Sequence, residues 1–290
     1  MRACLWIAIA GALLSGAATA DAHGDGRAGG KLLLTNGVAT VEGSGGGGVS
    51  TWALIAGNET RDGIGGSAHV SVAFLPDYRF QSHGVAIGLW DRLELSYARQ
   101  NLDTRDVGAA LGIGRGTILS QDVFGAKLRL FGDAVYDSPW LPQVAVGVQH
   151  KRSLDAPIAA AVRARDDRGT DIYVAATKLL LRHSLLVGAA VRRTAANQTG
   201  LLGHGGAGGG AALQVEGSVG WQLSRRTVIG VEYRTKPDNL GFAREDDWAT
   251  AYLAHAITRN VTATVALVDL GSIATADNQR GVFLSLQGSF

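Results

Sequence analysis

Cysteine is nearly absent from this chain: the one residue, Cys4, lies at the extreme N-terminus. Downstream of it no disulfide framework, thiolate metal site or thiol nucleophile is available. Charge is also sparse, 18% of residues against a usual ~25%. The 27 Lys and Arg nearly balance the 25 Asp and Glu, so the electrostatic footprint of a nucleic-acid binder is missing. Long apolar runs are lacking too. Beyond the N-terminus none approaches the ~18–20 residues that a spanning helix needs, which excludes a helical membrane protein. Glycine, by contrast, is abundant at 41 of 290 residues, roughly twice the average ~7%. Apolar residues make up 46% and are evenly spread, which argues against disorder. One all-β barrel fits a chain of this length.

The first 20 residues read as an export signal. Met1 and Arg2 form a basic start, Ala3–Leu14 an apolar stretch, and Ala18-Thr19-Ala20 a small-residue cleavage site before Asp21. Cys4 leaves with this peptide. It stands far upstream of the cut and so offers no lipoprotein anchor.

The body of the chain alternates with period two. Leu213, Val215, Val219, Trp221 and Leu223 are interleaved with Gln214, Glu216, Ser218 and Gln222. The same pattern recurs around 93–97, 124–130, 143–149, 229–234, 261–267 and 282–290. An extended segment of this kind is apolar on one face and polar on the other. A soluble sandwich could produce it, but three features favour a barrel with its apolar face to lipid. The chain ends on an amphipathic strand in which Val282, Leu284, Leu286 and Phe290 share a face, and a terminal Phe resembles the insertion signal of bacterial outer-membrane barrels. Trp90, Tyr97, Trp221, Tyr233, Trp248 and Phe290 fall near strand ends, where interfacial girdles belong. The apolar faces carry little charge, and a mid-bilayer Lys or Arg there costs about 2–4 kcal/mol.

Short links near 91, 182–183, 224–225 and 258–259, with a longer one at 132–141, alternate with longer polar connections. This spacing predicts an all-β, transmembrane, antiparallel up-and-down barrel of about twelve strands over residues 67–290. An even count is what single-chain bacterial barrels require. Residues 21–66 are left as a periplasmic or lumen-plugging segment. A fourteen-strand alternative would recruit Ser50–Gly57 and Val107–Ile113.

Four stretches carry a resemblance: Gly30–Val38, Trp90–Tyr97, Val268–Ser272 and Asp277–Phe290. With them the chain resembles an uncharacterised proteobacterial family of outer-membrane proteins with a domain of unknown function. The resemblance implies a barrel and an outer-membrane address, and brings no catalytic residues.

Eight charged residues fall on the polar faces of the expected strands: Glu94, Lys127, Arg129, Lys151, Arg192, Glu216, Glu232 and Arg234. They are candidate pore-lining residues whose charge selects solutes; the alternative is a lumen filled by side chains and ion pairs, common in small barrels. The function expected is a narrow pore or channel for small solutes, or else a non-transport barrel serving envelope anchoring, assembly or adhesion. His69-Val70-Ser71 resembles the H-x-S pair of the outer-membrane phospholipase family. Here Val70 and Val72 claim the lipid face, and no third group orients the base, so no catalytic residues are expected. Gly43–Gly48 and Gly203–Gly210 lack the Lys-Ser/Thr of a phosphate loop and read as flexible connections. The polar loop Arg163–Asp171 reads as solvated surface able to meet phosphates or divalent cations of the outer leaflet. No cofactor or metal is expected. The partners expected are outer-membrane lipid and lipopolysaccharide, and the barrel assembly machinery through the C-terminal strand.

Overall fold

The computed structural model describes residues 31, 34, 38–61, 63–138 and 140–290. The export signal at 1–20 lies outside the described residues. Twelve strands close into one antiparallel barrel: β1 (Ile64–Phe74), β2 (Arg79–Leu89), β3 (Leu93–Asp103), β4 (Ile118–Phe131), β5 (Gln143–Ser153), β6 (Arg168–Leu180), β7 (Leu185–Thr194), β8 (Ala212–Ser224), β9 (Thr227–Arg234), β10 (Trp248–Ala256), β11 (Val261–Asp269) and β12 (Arg280–Ser289). Each strand pairs with the next in sequence, and β12 closes on β1 in a register running from Val282 opposite Phe74 to Ser289 opposite Ser67. Two short helices, α1 (Arg105–Ala110) and α2 (Ala156–Ala161), sit in connections.

Why these residues close a barrel follows from the alternation. Val70, Val85, Leu95, Phe124, Val174, Val191, Val219, Val231, Val265 and Leu284 all lie exposed on the outside. Their chain neighbours Ser71, Glu94, Val123, Tyr173, Arg192, Ser218, Glu232, Thr264 and Ser285 are buried within. A large outward apolar surface is what an acyl-chain solvent demands and what water would penalise. Four connections of two to four residues, together with the longer 132–142, gather at one end, which we term the turn end; the five other long connections and the short 75–78 lie at the other, the loop end. The segment 107–113 is not a strand, because α1 and the turn after it occupy it. Ser50–Gly57 lies outside the wall as well. The fourteen-strand alternative is thereby excluded. The first strand begins at Ile64 rather than at residue 67, because Gly66 exchanges backbone hydrogen bonds with Phe290 (2.9 Å each way) and extends the pairing toward the turn end.

One girdle assignment needs correction. Trp90, Trp221, Tyr233 and Phe290 are exposed and Tyr97 is half-buried on the outer face, but Trp248 is buried inside. On β10 the outward positions belong to Ala249, Ala251 and Leu253, which turns Trp248, Thr250 and Tyr252 inward. The four C-terminal residues Val282, Leu284, Leu286 and Phe290 all face outward.

If acyl chains solvate the outer face, Val219→Arg should lower the stability of the liposome-folded protein by about 2–4 kcal/mol. Val219→Leu should leave it nearly unchanged, and urea titration followed by tryptophan fluorescence measures both.

Candidate functional site

The lumen is occupied by the chain's own residues 38–57. A small ribbon pairs Val38–Ala39 with Gly45–Gly46, and nearly every residue from 38 to 57 is buried. The Gly43–Gly48 run, expected to be a flexible connection, is instead an ordered turn whose N–H groups point at wall carboxylates. Glu232 accepts hydrogen bonds from the backbone N–H groups of Gly48 (2.9 Å), Val49 (3.0 Å) and Ser50 (3.4 Å), and from the Ser50 hydroxyl (2.5 Å). Successive N–H groups converging on one anion form a nest. Gly47 is needed for the close approach: a Cβ there would stand 1.6 Å from Glu232 Oε1.

Glu94 does the same on the opposite wall. It accepts from the Ser44 hydroxyl (2.7 Å) and from the N–H groups of Gly45 (3.2 Å) and Ala56 (2.8 Å). Its cross-strand partner Lys127 lies 3.0 Å away and donates to the carbonyls of Gly45 (3.0 Å) and Trp52 (3.2 Å). Glu216 takes the Thr51 N–H at 2.6 Å.

A third cluster is built around a residue of the inner segment. Glu42 receives Arg234 in a two-pronged contact (Nη1 to Oε2, 3.0 Å; Nη2 to Oε1, 2.9 Å) and Lys151 at 2.5 Å. Arg192 stands 3.6 Å from the same carboxylate. The wall supplies two further anions. Asp171 lies 2.8 Å from Lys151, and Glu216 lies 2.7 Å from Arg192 Nε. Arg192 also donates to Gln149 (2.6 Å) and Thr51 (2.8 Å) and covers the Tyr173 ring at 4.8 Å. All these groups are buried.

Seven of the eight candidate residues therefore converge on the inner segment or on the charges that hold it. Arg129 does not. It lies toward the turn end, where it pairs with Asp91 and Asp133 and donates to the Gly132 carbonyl. Asp91 in turn meets Lys31 at 3.0 Å. Glu42 and Asp171 escaped the sequence reading: one stood in a glycine-rich stretch and the other was read into the solvated loop 163–171. Asp171 could have been found, because Ile172 and Val174 face outward on β6 and leave Asp171 and Tyr173 to the lumen.

The loop end is roofed. Residues 196–204 are buried across the mouth, where Gln121 donates to the Thr199 carbonyl (3.3 Å) and Ser153 to the Leu201 carbonyl (3.0 Å). The second glycine run, expected to be flexible, begins inside this roof: His204 donates its N–H to the Asp166 carbonyl at 2.8 Å. Gln198 receives Lys236 on its amide oxygen (3.1 Å) and gives its N–H to Glu245 (2.8 Å). Burial raises the Glu245 carboxyl and lowers the Lys236 ammonium, while each charge draws the other back toward its ionised form. His69 and Ser71 face the lumen without meeting. His69 pairs with Ser82 (3.2 Å), which donates to the Val41 carbonyl (2.6 Å), while Ser71 pairs with Ser285 (2.8 Å).

Residues 35–287 match the family described as "Protein of unknown function (DUF3034)". No curated protein matches the chain. Among solved structures, the KdgM porin aligns with a TM-score of 0.51 at 11% identity, over 77% of this chain and 99% of that one. KdgM in complex with disordered oligogalacturonate gives 0.50 at 10%, with the same coverage. The NanC porin gives 0.49 at 11%, over 78% of this chain and 98% of that one. At these identities the KdgM likeness is one of fold.

Two measurements probe this packing. Arg192→Met leaves Glu42, Asp171 and Glu216 short of a cation in a buried setting, and should cost about 3–5 kcal/mol in urea unfolding. At the turn end, burial lifts the Glu59 carboxyl to about 7, against the pull of Lys31. Unfolded Glu titrates near ~4.3, so burying Glu59 costs progressively more stability as pH rises toward about 7 and no more above it. Glu59→Gln should therefore raise the unfolding midpoint at pH 8 and leave it unchanged at pH 4.

Proposed function

Because the chain belongs to the family described as protein of unknown function (DUF3034), which brings no activity with it, we propose its role from the barrel itself: an outer-membrane channel for small solutes, held shut by residues 38–57. The observation that carries this reading is how the wall charges are satisfied. Glu94, Glu216 and Glu232 are met by backbone N–H groups of a segment that is not part of the wall. A barrel that needed only to be filled could use apolar side chains and avoid the desolvation of many ions. A wall that stays charged is one that water and solute can line once the segment leaves. The KdgM porin, which shares the fold, supports the same reading.

The second reading is a barrel that does not transport and serves envelope anchoring, assembly or adhesion. It draws on the roof, since residues 196–204 continue the filling to the loop end. Neither reading makes the protein an enzyme, and neither calls for a cofactor.

The outer-membrane address brings two partners into the proposal. On the outer face near the loop end, His83, Arg99, Asp122, Arg152 and Arg168 stand opposite one another on successive strands, at the height where lipopolysaccharide phosphates would sit. The outward Val282, Leu284, Leu286 and Phe290 would be the face offered to the barrel assembly machinery.

Planar-bilayer recording separates the two roles. The intact chain should conduct rarely, and a chain lacking residues 38–57 should show openings that are several-fold more frequent or larger. Gly47→Ala, which drives a methyl into Glu232, should fall between them. A barrel electrically silent in all three forms would rule out the channel.

A further inference from the structure

The charge count around Glu42 is uneven in an informative way. Three wall cations, Lys151, Arg192 and Arg234, face only two wall anions, Asp171 and Glu216. Within this cluster the wall thus carries one more positive than negative charge, and the Glu42 carboxylate cancels it; the next wall anion along the strand, Glu232, is held instead by the N–H groups of Gly48, Val49 and Ser50. An unpaired buried cation is expensive, so when the segment withdraws, the vacated position attracts one negative charge.

Its shape is specific as well. Arg234 presents both terminal nitrogens to the two oxygens of Glu42, the planar fork that suits a carboxylate. Lys151 caps one of those oxygens. A doubly charged phosphate would overshoot the single positive surplus beside two carboxylates that are already in place. One donor at the site also goes unused: the amide nitrogen of Gln149, fully buried beside Arg192, has no hydrogen-bond partner among the described residues. Glu42 therefore fills the charge of the site without exhausting its hydrogen bonds, as a stand-in would.

We propose that the Lys151–Arg192–Arg234 cradle is a solute site for a single carboxylate group, a small hydroxylated monocarboxylate by preference, and that Glu42 is the internal carboxylate that occupies it while the bore is shut. The assignment rests on the channel reading above for its physiological meaning, but its chemistry can be tested separately. The segment and the solute then compete for one position, so an arriving carboxylate favours the withdrawn state of the segment by mass action.

The test begins with the full chain carrying Glu42→Ala, folded in detergent micelles. Sodium acetate and sodium lactate at 100 mM should raise its unfolding temperature by several degrees more than sodium chloride at equal concentration, with lactate above acetate. Neither should do so for the wild type, where the position is filled. Adding Arg234→Gln to Glu42→Ala should remove the effect. If Glu42→Ala folds poorly, the yield of heat-modifiable barrel refolded in acetate, compared with chloride, gives the same readout. In bilayers, Glu42→Gln should raise the chloride-to-potassium permeability ratio at least twofold over wild type. Equal effects of acetate, lactate and chloride on Glu42→Ala would overturn the carboxylate site even if the variants conduct. Carboxylate-specific stabilisation in a protein that never conducts would overturn the channel and leave the site standing.

Discussion

Everything in this molecule depends on the pairing of β12 with β1. In hydrocarbon, each backbone N–H or C=O without a partner costs several kcal/mol, and an open twelve-strand sheet would leave two whole edges so exposed. The β12–β1 register removes both edges at once, and the remaining consequences follow from it. A closed ring has an inside, the inside of a twelve-strand ring is too wide for short side chains to fill, and something must occupy or hydrate it. The outward valines and leucines are the other half of the same constraint, since they are tolerable only because the ring stands in lipid.

The interior resolves this with charge rather than bulk. Buried ion pairs gain little over apolar packing, while a buried pair that loses one partner is costly. The lumen is therefore stable only as a whole: Arg192 is held by Glu42, Asp171 and Glu216 together, and Arg234 is shared between Glu42 and Glu216. Such an arrangement gives the inner segment one well-defined packing. An apolar flank supports it, where Val38, Val41 and Val49 of the inner segment share a core with Phe80, Tyr252 and Phe283. Polar bonds fix the register of the segment and apolar contact fills the space between.

The wall was legible in the sequence because strand alternation is a local signal. Each residue's direction is set by its neighbours, so all twelve strands and the inward direction of Glu94, Lys127, Lys151, Arg192, Glu216, Glu232 and Arg234 could be read without knowing what they face. The contents of the lumen were not legible, because they depend on pairings across the fold. Glu42 and Arg234 stand 192 positions apart, and nothing near residue 42 announces a partner. The run Gly43–Gly48 was misread for a related reason. Glycine marks both slack chain and chain that must pass very close to another group, and only the carboxylate of Glu232 distinguishes the two. Trp248 was misplaced because an aromatic near a strand end fits a girdle or a lumen equally well until the small outward residues Ala249 and Ala251 are weighed.

The route by which the inner segment joins the wall has a kinetic consequence. Residues 58–63 connect it directly to β1, and the Asn58 N–H is tied to the Phe290 carbonyl at 3.0 Å. Six residues fully extended reach only about 20 Å, so a released segment stays leashed at the mouth of the turn end. In the proposed channel, reclosure would then be a unimolecular event at a local concentration of order millimolar, indifferent to how many copies of the protein the membrane holds. On the proposed channel reading, a barrel built this way would shut itself on its own clock, with the length of that leash setting the rate.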